Sequence, residues 1–151
     1  MTEASAGTGS PSRTALPSGP VWRAGLLAAL AATVVNAVAW VLLQPVLDLG
    51  LQVPVTPGSS EFQELSLALV IGFTAFSGLL GVVVLWLLTR RGPSGVRLWS
   101  VLAGAVGVLS GVSPLSLDVS LGRRLGLFVF HLVAAAVVIA VVRRQLPASQ
   151  G

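Results

Sequence analysis

The sequence predicts an all-α membrane protein, a bundle of four transmembrane helices. Of its 151 residues, 54% are hydrophobic and only 9% are charged, whereas roughly 25% of residues are charged in a typical soluble domain. The 9 basic and 5 acidic side chains are too few to cover the surface of a soluble domain. The chain also contains four long apolar runs. These runs lack the period-2 alternation of a membrane β-barrel, so they predict helices.

Each apolar run has about the ~20 residues that a helix needs to cross the hydrocarbon core of a bilayer. Tryptophans lie at or near the ends of these runs, where an indole N–H can remain among lipid headgroups. We therefore predict a four-helix transmembrane domain over residues 21–144, followed by a short cytoplasmic tail at 145–151. The predicted spans are 24–43, 65–88, 98–117 and 125–142.

The first 20 residues are rich in Ser, Thr, Gly and Pro. Such a stretch buries too little apolar surface to offset the entropy of ordering it, so residues 1–20 are predicted to be a disordered cytoplasmic tail. Arg23, the first apolar run and the Ala37-Val38-Ala39 segment together also resemble a cleaved signal peptide. The uncharged run exceeds the ~7–15 apolar residues of a signal peptide, and a spanning helix is the favoured interpretation.

The distribution of arginine predicts the orientation. All basic residues are arginine, and most of them flank the ends of the spans that lie on the side of both termini. The positive-inside rule makes that side cytoplasmic, which predicts a cytoplasmic (inner) cell membrane protein with both termini inside. Arg123 and Arg124 do not fit this pattern, because they fall on the outer side. The outer loop 44–64 is predicted to be a connector anchored at the interface, with a lid over the bundle as the alternative.

Small residues form stripes along several spans. On the third span Ala103, Gly107 and Gly111 are spaced four residues apart, and on the second span Gly78 and Gly81 each follow a small polar residue four positions earlier. Such spacing places small side chains on one helix face, where another helix backbone can approach closely. Packing within the bundle is the preferred interpretation, and a dimer interface is the alternative.

Polar residues inside the spans predict a second feature. Their depths place them at one level in the outer half of the membrane, where burial among lipid is costly unless they contact protein or water. The hypothesis is an outward-facing polar pocket with His131 as its titratable member, and the alternative is hydrogen bonding between helices that fixes the bundle. The candidate pocket residues are Asn36, Thr74, Ser110, Ser113, Arg124 and His131.

Several chemistries are disfavoured by the residue inventory. One His, no Cys and no carboxylate inside a span cannot supply the three or four ligands of a metal site. A nucleophile and base pair formed by Ser110 or Ser113 with His131 has no orienting carboxylate at that depth. No motif indicates a cofactor, and the scattered arginines do not indicate nucleic acid. We expect a protein that is not an enzyme.

Three short segments resemble a family of small four-span bacterial membrane proteins of unknown function, over roughly residues 21–144. They are Val34-Val35-Asn36, Ser113-Pro114-Leu115 and the Phe130–Ala134 segment, and the composition suggests a high-GC bacterial genome. The resemblance implies the architecture and no activity.

The expected function is that of a membrane component acting through helix–helix association in the lipid bilayer, with itself or with a membrane-protein partner. The alternative is a small transporter or ligand-binding protein that uses the polar pocket around His131. The first hypothesis predicts that Gly107→Leu disrupts assembly while His131→Ala has no effect. The second predicts the reverse.

Overall fold

The structure, a computed structural model, describes residues 15–56 and 59–146. It confirms the predicted fold class, because four helices pack together and each is long and apolar enough to cross a membrane. They are α1 (Ser18–Val41), α2 (Leu67–Thr89), α3 (Ser94–Leu115) and α4 (Leu121–Gln145). Helix α1 continues directly into a π-helical turn, Leu42–Val46.

The helix ends differ from the predicted spans. Helix α1 begins at Ser18, inside the segment expected to be a tail, and Pro20 lies in its first turn, where the missing N–H costs no helical hydrogen bond. Helix α2 begins after Ser66, whose Oγ accepts a hydrogen bond from the Leu69 N–H at 3.3 Å. Helix α4 includes Gln145. Residues 15–17 and 146 of the expected tails lie outside the helices, and Leu16 and Leu146 pack in the bundle. Residues 1–14 and 147–151 lie outside the described residues.

The loop between α1 and α2 contains a short β-hairpin that the sequence analysis missed. Strands β1 (Gln52–Pro54) and β2 (Phe62–Glu64) pair antiparallel with Val53 opposite Gln63. We call residues 47–65 the hairpin cap, of which 57 and 58 are outside the described residues. The end of the bundle that carries this cap is the hairpin end, and the end that carries α1's first residue and α4's last is the arginine end.

The helices pack in the order α2, α1, α4, α3, and the contact between α2 and α3 is the smallest of the four. Two clusters of buried side chains fill the bundle. The cluster at the arginine end includes Val21, Leu85, Val96 and Val142. The cluster at the hairpin end includes side chains from the cap itself, so the cap is part of the core and not only a connector. Its buried members are Leu51, Leu65, Val70, Leu127 and Phe130.

Polar side chains attach the cap to the helices. Gln44, in the π-helical turn, donates from Nε2 to Glu64 Oε1 at 2.8 Å, and its Oε1 accepts from the Leu51 N–H at 2.7 Å. The Trp40 Nε1–H donates to the Leu65 carbonyl at 2.6 Å. Gln44 and Leu51 are buried, so the Gln44 Oε1 satisfies a backbone N–H that water does not reach.

Arg123 and Arg124, the two arginines that did not fit the positive-inside pattern, are both bound to carbonyl oxygens. Arg123 donates from Nε to the Leu49 carbonyl at 3.1 Å and from Nη1 to Gln52 Oε1 at 3.3 Å, which ties α4 to the cap. Arg124 donates to the carbonyls of Val119 and Leu115, at 2.8 and 3.3 Å, and closes the end of α3. Their place at the hairpin end therefore has a structural explanation.

Substitution of Arg123 is predicted to loosen the cap without unfolding the helices. In Arg123→Met two hydrogen bonds to the cap are lost, each worth about 1 kcal/mol, so amide exchange around Leu51 accelerates roughly tenfold or more. Hydrogen-exchange mass spectrometry measures this. In the neighbouring control Arg124→Met, exchange increases at residues 115–119 and not in the cap. Equal effects of both variants on the cap would contradict the assignment of Arg123.

Candidate functional site

The structure brings two of the candidate pocket residues into contact. Asn36 on α1 donates from Nδ2 to Thr74 Oγ1 on α2 at 3.1 Å. The Asn36 side chain is buried, with 5% of its surface exposed. This hydrogen bond lies between the two helices and fixes their relative rotation at that level.

His131 makes its hydrogen bond within its own helix. Its Nδ1 lies 2.9 Å from the Leu127 carbonyl, one turn earlier on α4. Because a carbonyl can only accept, Nδ1 carries the hydrogen in this arrangement. The His131 side chain also packs beside α3, since a Cβ added at Gly111 would lie 3.4 Å from the His131 Cβ. The bond of Nδ1 therefore orients the ring along α4, while the Cβ packs beside Gly111 of α3.

The other candidate pocket residues also bond locally. Ser110 donates to the Val106 carbonyl at 2.6 Å, with the Gly107 carbonyl at 3.3 Å. Ser113 is exposed, and its carbonyl accepts from the Ser116 hydroxyl at 2.7 Å. Arg124, as described above, is bound to the end of α3. Of the six candidate pocket residues, only Asn36 and Thr74 hydrogen-bond to each other.

One buried polar atom among the candidate pocket residues has no hydrogen-bond partner within the described part of the chain. Asn36 Oδ1 is buried and accepts no hydrogen bond from the described residues. A buried acceptor of this kind costs free energy relative to a bonded one. This orphan oxygen is the one observation that favours a ligand or a water molecule at the polar level.

A groove does lie on the surface of the bundle, but none of the six candidate pocket residues lines it. It is an open depression of about 330 Å³ between α1 and α2. Its lining is entirely apolar: Val34, Ala37, Val38, Val41, Leu42 and Leu67. Such a surface is suited to lipid acyl chains rather than to a polar substrate.

Metal ligands do not cluster in the part of the chain that the structure describes. No three of its His, Asp and Glu side chains lie close enough together to hold a metal ion. His131 is therefore not part of a three-ligand cluster among these residues.

The small-residue positions all contact helices of the same chain. A Cβ on Gly107 would overlap the Cβ of Ala135 on α4, and one on Gly111 would lie 3.0 Å from the Phe128 ring. A Cβ on Gly78 would lie 2.8 Å from the Ala29 Cβ on α1. These glycines therefore allow α3 to approach α4 and α2 to approach α1.

Two further predicted packing positions lie near the arginine end. The Gly81 carbonyl accepts a hydrogen bond from Trp99 Nε1 at 2.8 Å, which joins α2 to α3. Ala103 packs against the cluster at the arginine end. The stripes are thus used within one copy of the chain.

Sequence reasoning missed Gln44, which organises the hairpin end. The signal available in the sequence was an amide side chain directly before Pro45, at the point where the first apolar run ends. A polar side chain at such a boundary is ordinarily solvent-exposed, and only the folded cap buries it.

Comparison with known proteins places the chain in a family and adds no activity. A protein family described as a family of unknown function, DUF6069, matches residues 17–148. The chain belongs to this family. No curated protein and no solved structure matches it. The family match covers all four helices and the hairpin cap, so the family unit is the whole bundle.

Gly107 is predicted to control the stability of the bundle. In Gly107→Ala the added methyl overlaps Ala135, and overpacking of this kind costs about 1–3 kcal/mol. Ala135→Gly in the same chain restores the space and most of the stability. Thermal unfolding in detergent micelles, followed by circular dichroism, measures both. The control is Gly104→Ala on the same helix, since a Cβ there would lie 3.7 Å from Ile139 Cδ1, an ordinary contact distance. Equal tolerance of the two alanines would contradict α3–α4 packing at Gly107.

The hydrogen bond between Asn36 and Thr74 is tested by a double-mutant cycle. Thr74→Val leaves both polar atoms of the buried Asn36 amide unbonded and is predicted to destabilise by about 1 kcal/mol or more. Asn36→Leu removes the buried amide, and Thr74 can donate to a carbonyl of its own helix, so the cost is smaller. The double variant is expected to resemble Asn36→Leu. If Asn36→Leu is instead the most damaging change, then Oδ1 has a partner, such as water or a ligand.

Proposed function

We propose that this protein is a non-enzymatic component of a membrane that acts by helix–helix association with a second copy of itself. The observation that carries the proposal is the exposed surface of α2, which includes the hydroxyl of Ser77 near the middle of the helix. Because Gly107, Gly111 and Gly78 contact helices of the same chain, association has to use a different surface.

Helix α2 is the least buried of the four spans, with 11% of its most apolar window buried. It contacts α1 through Thr74, Gly78 and Val82. The opposite side carries Gly72, where a Cβ would meet nothing within 4 Å, and Phe76, which is 62% exposed. Small residues and open space on a helix face permit a second helix to approach closely.

Ser77 adds a polar group beside this face, about 100° around the helix from Phe76 and on the same side of α2 as Gly81. It lies near the middle of α2, is exposed, and makes no hydrogen bond to the described residues beyond its helical backbone bonds. Gly81, one turn later on α2, faces Trp99 of α3, but at the level of Ser77 this side of α2 is open. Lipid offers a hydroxyl no partner, so a neighbouring helix that bonds to Ser77 gains free energy.

A second copy of the chain is the partner that this face fits. A hydroxyl both donates and accepts, so two Ser77 side chains can bond to each other across a two-fold axis. The exposed face of α2 carries no charge between Leu67 and Thr89, and therefore identical faces meet without repulsion. Two-fold dimers are the commonest symmetric assemblies.

The non-enzymatic part of the proposal is supported by the hydrogen bonds of the candidate nucleophile. The Ser110 hydroxyl donates to a backbone carbonyl of its own helix, and His131 bonds to the Leu127 carbonyl. A nucleophile and base pair needs a hydrogen bond between the two side chains.

For localisation, we infer the cytoplasmic (inner) cell membrane of a bacterium, with both termini inside. Arg123 and Arg124 are bound to carbonyl oxygens at the hairpin end, and six described arginines lie at the arginine end. This distribution supports an arginine end that faces the cytoplasm.

A transporter or ligand-binding protein remains the second candidate, and the orphan Oδ1 of Asn36 is the observation that favours it. The two functions predict opposite effects of substitutions in cells. Association predicts that changes on the open face of α2 remove function while His131→Ala is silent, whereas a binding role at the polar level predicts the reverse.

Disulfide crosslinking tests the association directly, because the chain has no native cysteine. Phe76→Cys is expected to form a disulfide-linked dimer in oxidised native membranes. The matched control Leu109→Cys, 71% exposed on α3, is expected to stay monomeric. Adding Ser77→Ala to Phe76→Cys weakens association by about threefold, the equivalent of one membrane hydrogen bond of ~0.6 kcal/mol. Equal crosslinking at both positions would contradict a specific α2 interface, and a crosslink only to another protein would replace self-association.

A further inference from the structure

The arginine end carries a concentration of positive charge that the proposed association does not use. The described residues contribute six arginines there, and their four carboxylates all lie towards the hairpin end. The arginines are Arg23, Arg90, Arg91, Arg97, Arg143 and Arg144, and the carboxylates are Asp48, Glu61, Glu64 and Asp118. No described acidic side chain is therefore available to pair with these cations.

One of these arginines is held by a buried side chain. Arg143, near the end of α4, donates from Nε to the Ser100 hydroxyl on α3 at 3.2 Å. Ser100 is 4% exposed and donates in turn to the Val96 carbonyl at 2.8 Å. This chain of bonds orients Arg143 across the α3–α4 contact and leaves its two terminal nitrogens for an outside acceptor.

Arg97 supplies a second guanidinium on the same side. It precedes Ser100 by three residues on α3, and residues with that spacing are neighbours on one helix face. Arg97 is exposed. Arg143 bonds to Ser100 from α4, and Arg97 lies one turn before Ser100 on α3. We call these three residues the arginine groove. Two adjacent cations repel each other unless an anion lies between them.

A phosphodiester is the anion that this arrangement fits. Guanidinium groups bind phosphate oxygens through paired, charge-assisted hydrogen bonds. We propose that the arginine groove binds the phosphodiester headgroup of an anionic phospholipid.

The surface next to the groove indicates a lipid rather than a soluble phosphate. On α3 the face of Arg97 continues through Val101 and Val108, four and eleven residues later, and these side chains are 62% and 50% exposed. On α4 the face of Arg143 continues through Ala136, which is also exposed. A headgroup in the groove places its acyl chains along this apolar surface, so one molecule satisfies both the charge and the apolar contact.

Native mass spectrometry of the full-length protein tests this site. The probes are phosphatidylglycerol and phosphatidylcholine, added separately to detergent-solubilised protein. The first phosphatidylglycerol is expected to bind at least tenfold more tightly than phosphatidylcholine. Double substitution Arg97→Gln with Arg143→Gln is expected to reduce that affinity roughly 30-fold, because each arginine near an anionic headgroup contributes about fivefold.

The matched control is Arg91→Gln with Arg144→Gln, which removes the same charge from the same end of the bundle. Screening limits charges beyond about 8 Å at physiological salt, so this control is expected to lose no more than about threefold. Equal losses in the two double variants would show diffuse attraction and overturn the proposed site. Equal affinity for the two lipids would also overturn it.

Two further measurements separate the site from its alternatives. Ser100→Ala keeps every charge but releases Arg143, and is expected to weaken the first phosphatidylglycerol by about threefold to fivefold, the effect of one hydrogen bond. An unchanged affinity in Ser100→Ala would overturn the positioning of Arg143. Excess inorganic phosphate is expected to leave phosphatidylglycerol bound, and complete displacement would assign the groove to free phosphate instead. Circular dichroism and thermal unfolding of each variant verify that the bundle is intact.

Discussion

A hydrogen-bonding group inside a bilayer has no partner except another group of the protein, and most of this structure follows from that constraint. The backbone satisfies it by forming four helices that are continuous over the membrane. The hydroxyls satisfy it by donating one turn back, as Thr33 does to the Ala29 carbonyl and Thr89 to the Leu85 carbonyl. These local bonds remove the polar cost of each hydroxyl without involving another helix, so they leave close packing to decide how the helices associate. Where a glycine allows contact, as at Gly107 and Gly78, the helices approach. On α2, whose contact with α3 is the smallest of the four contacts between neighbouring helices, Ser77 is exposed.

The same constraint explains why the hairpin end is organised by side chains rather than by a long sheet. Two strands of three residues are too short to be stable alone in water. Three side chains outside the cap, those of Gln44, Trp40 and Arg123, each bond to a backbone group of the cap, and Leu51 of the cap is fully buried. The cap therefore depends on the helices for its stability, and in turn covers their ends. An amide and two cations placed at this end are structural groups here and do not require a ligand.

The sequence was sufficient to predict the number, approximate limits and apolar character of the helices, because span length and hydropathy are properties of one segment at a time. The helical rise also predicts one common depth for the polar residues, and this stays a prediction. The sequence did not predict the direction in which those residues face around each helix axis. Asn36, Ser110 and His131 are predicted to lie at similar depths, yet Ser110 and His131 bond back to their own helices and only Asn36 reaches Thr74. Whether a small-residue stripe meets the same chain or another one is equally a question of rotation and helix order. The hairpin was not predicted for a related reason. It depends on contacts between residues that are distant in the sequence, such as the hydrogen bond between Gln44 and Glu64, twenty positions away.

Two kinds of lipid-facing surface result, and they lie on different sides of the bundle. The open side of α2 is apolar with one hydroxyl, so a partner there has to supply close packing and a hydrogen bond. The arginine groove is cationic, and the surface next to it along α3 and α4 is apolar. Its partner therefore has to carry both a negative charge and a hydrocarbon chain. A helix meets the first requirement, and an anionic phospholipid meets the second. The two sites share no residue. Loss of lipid binding in variants of the arginine groove therefore leaves the case for α2 association unchanged, and a monomeric protein could still retain a bound phospholipid.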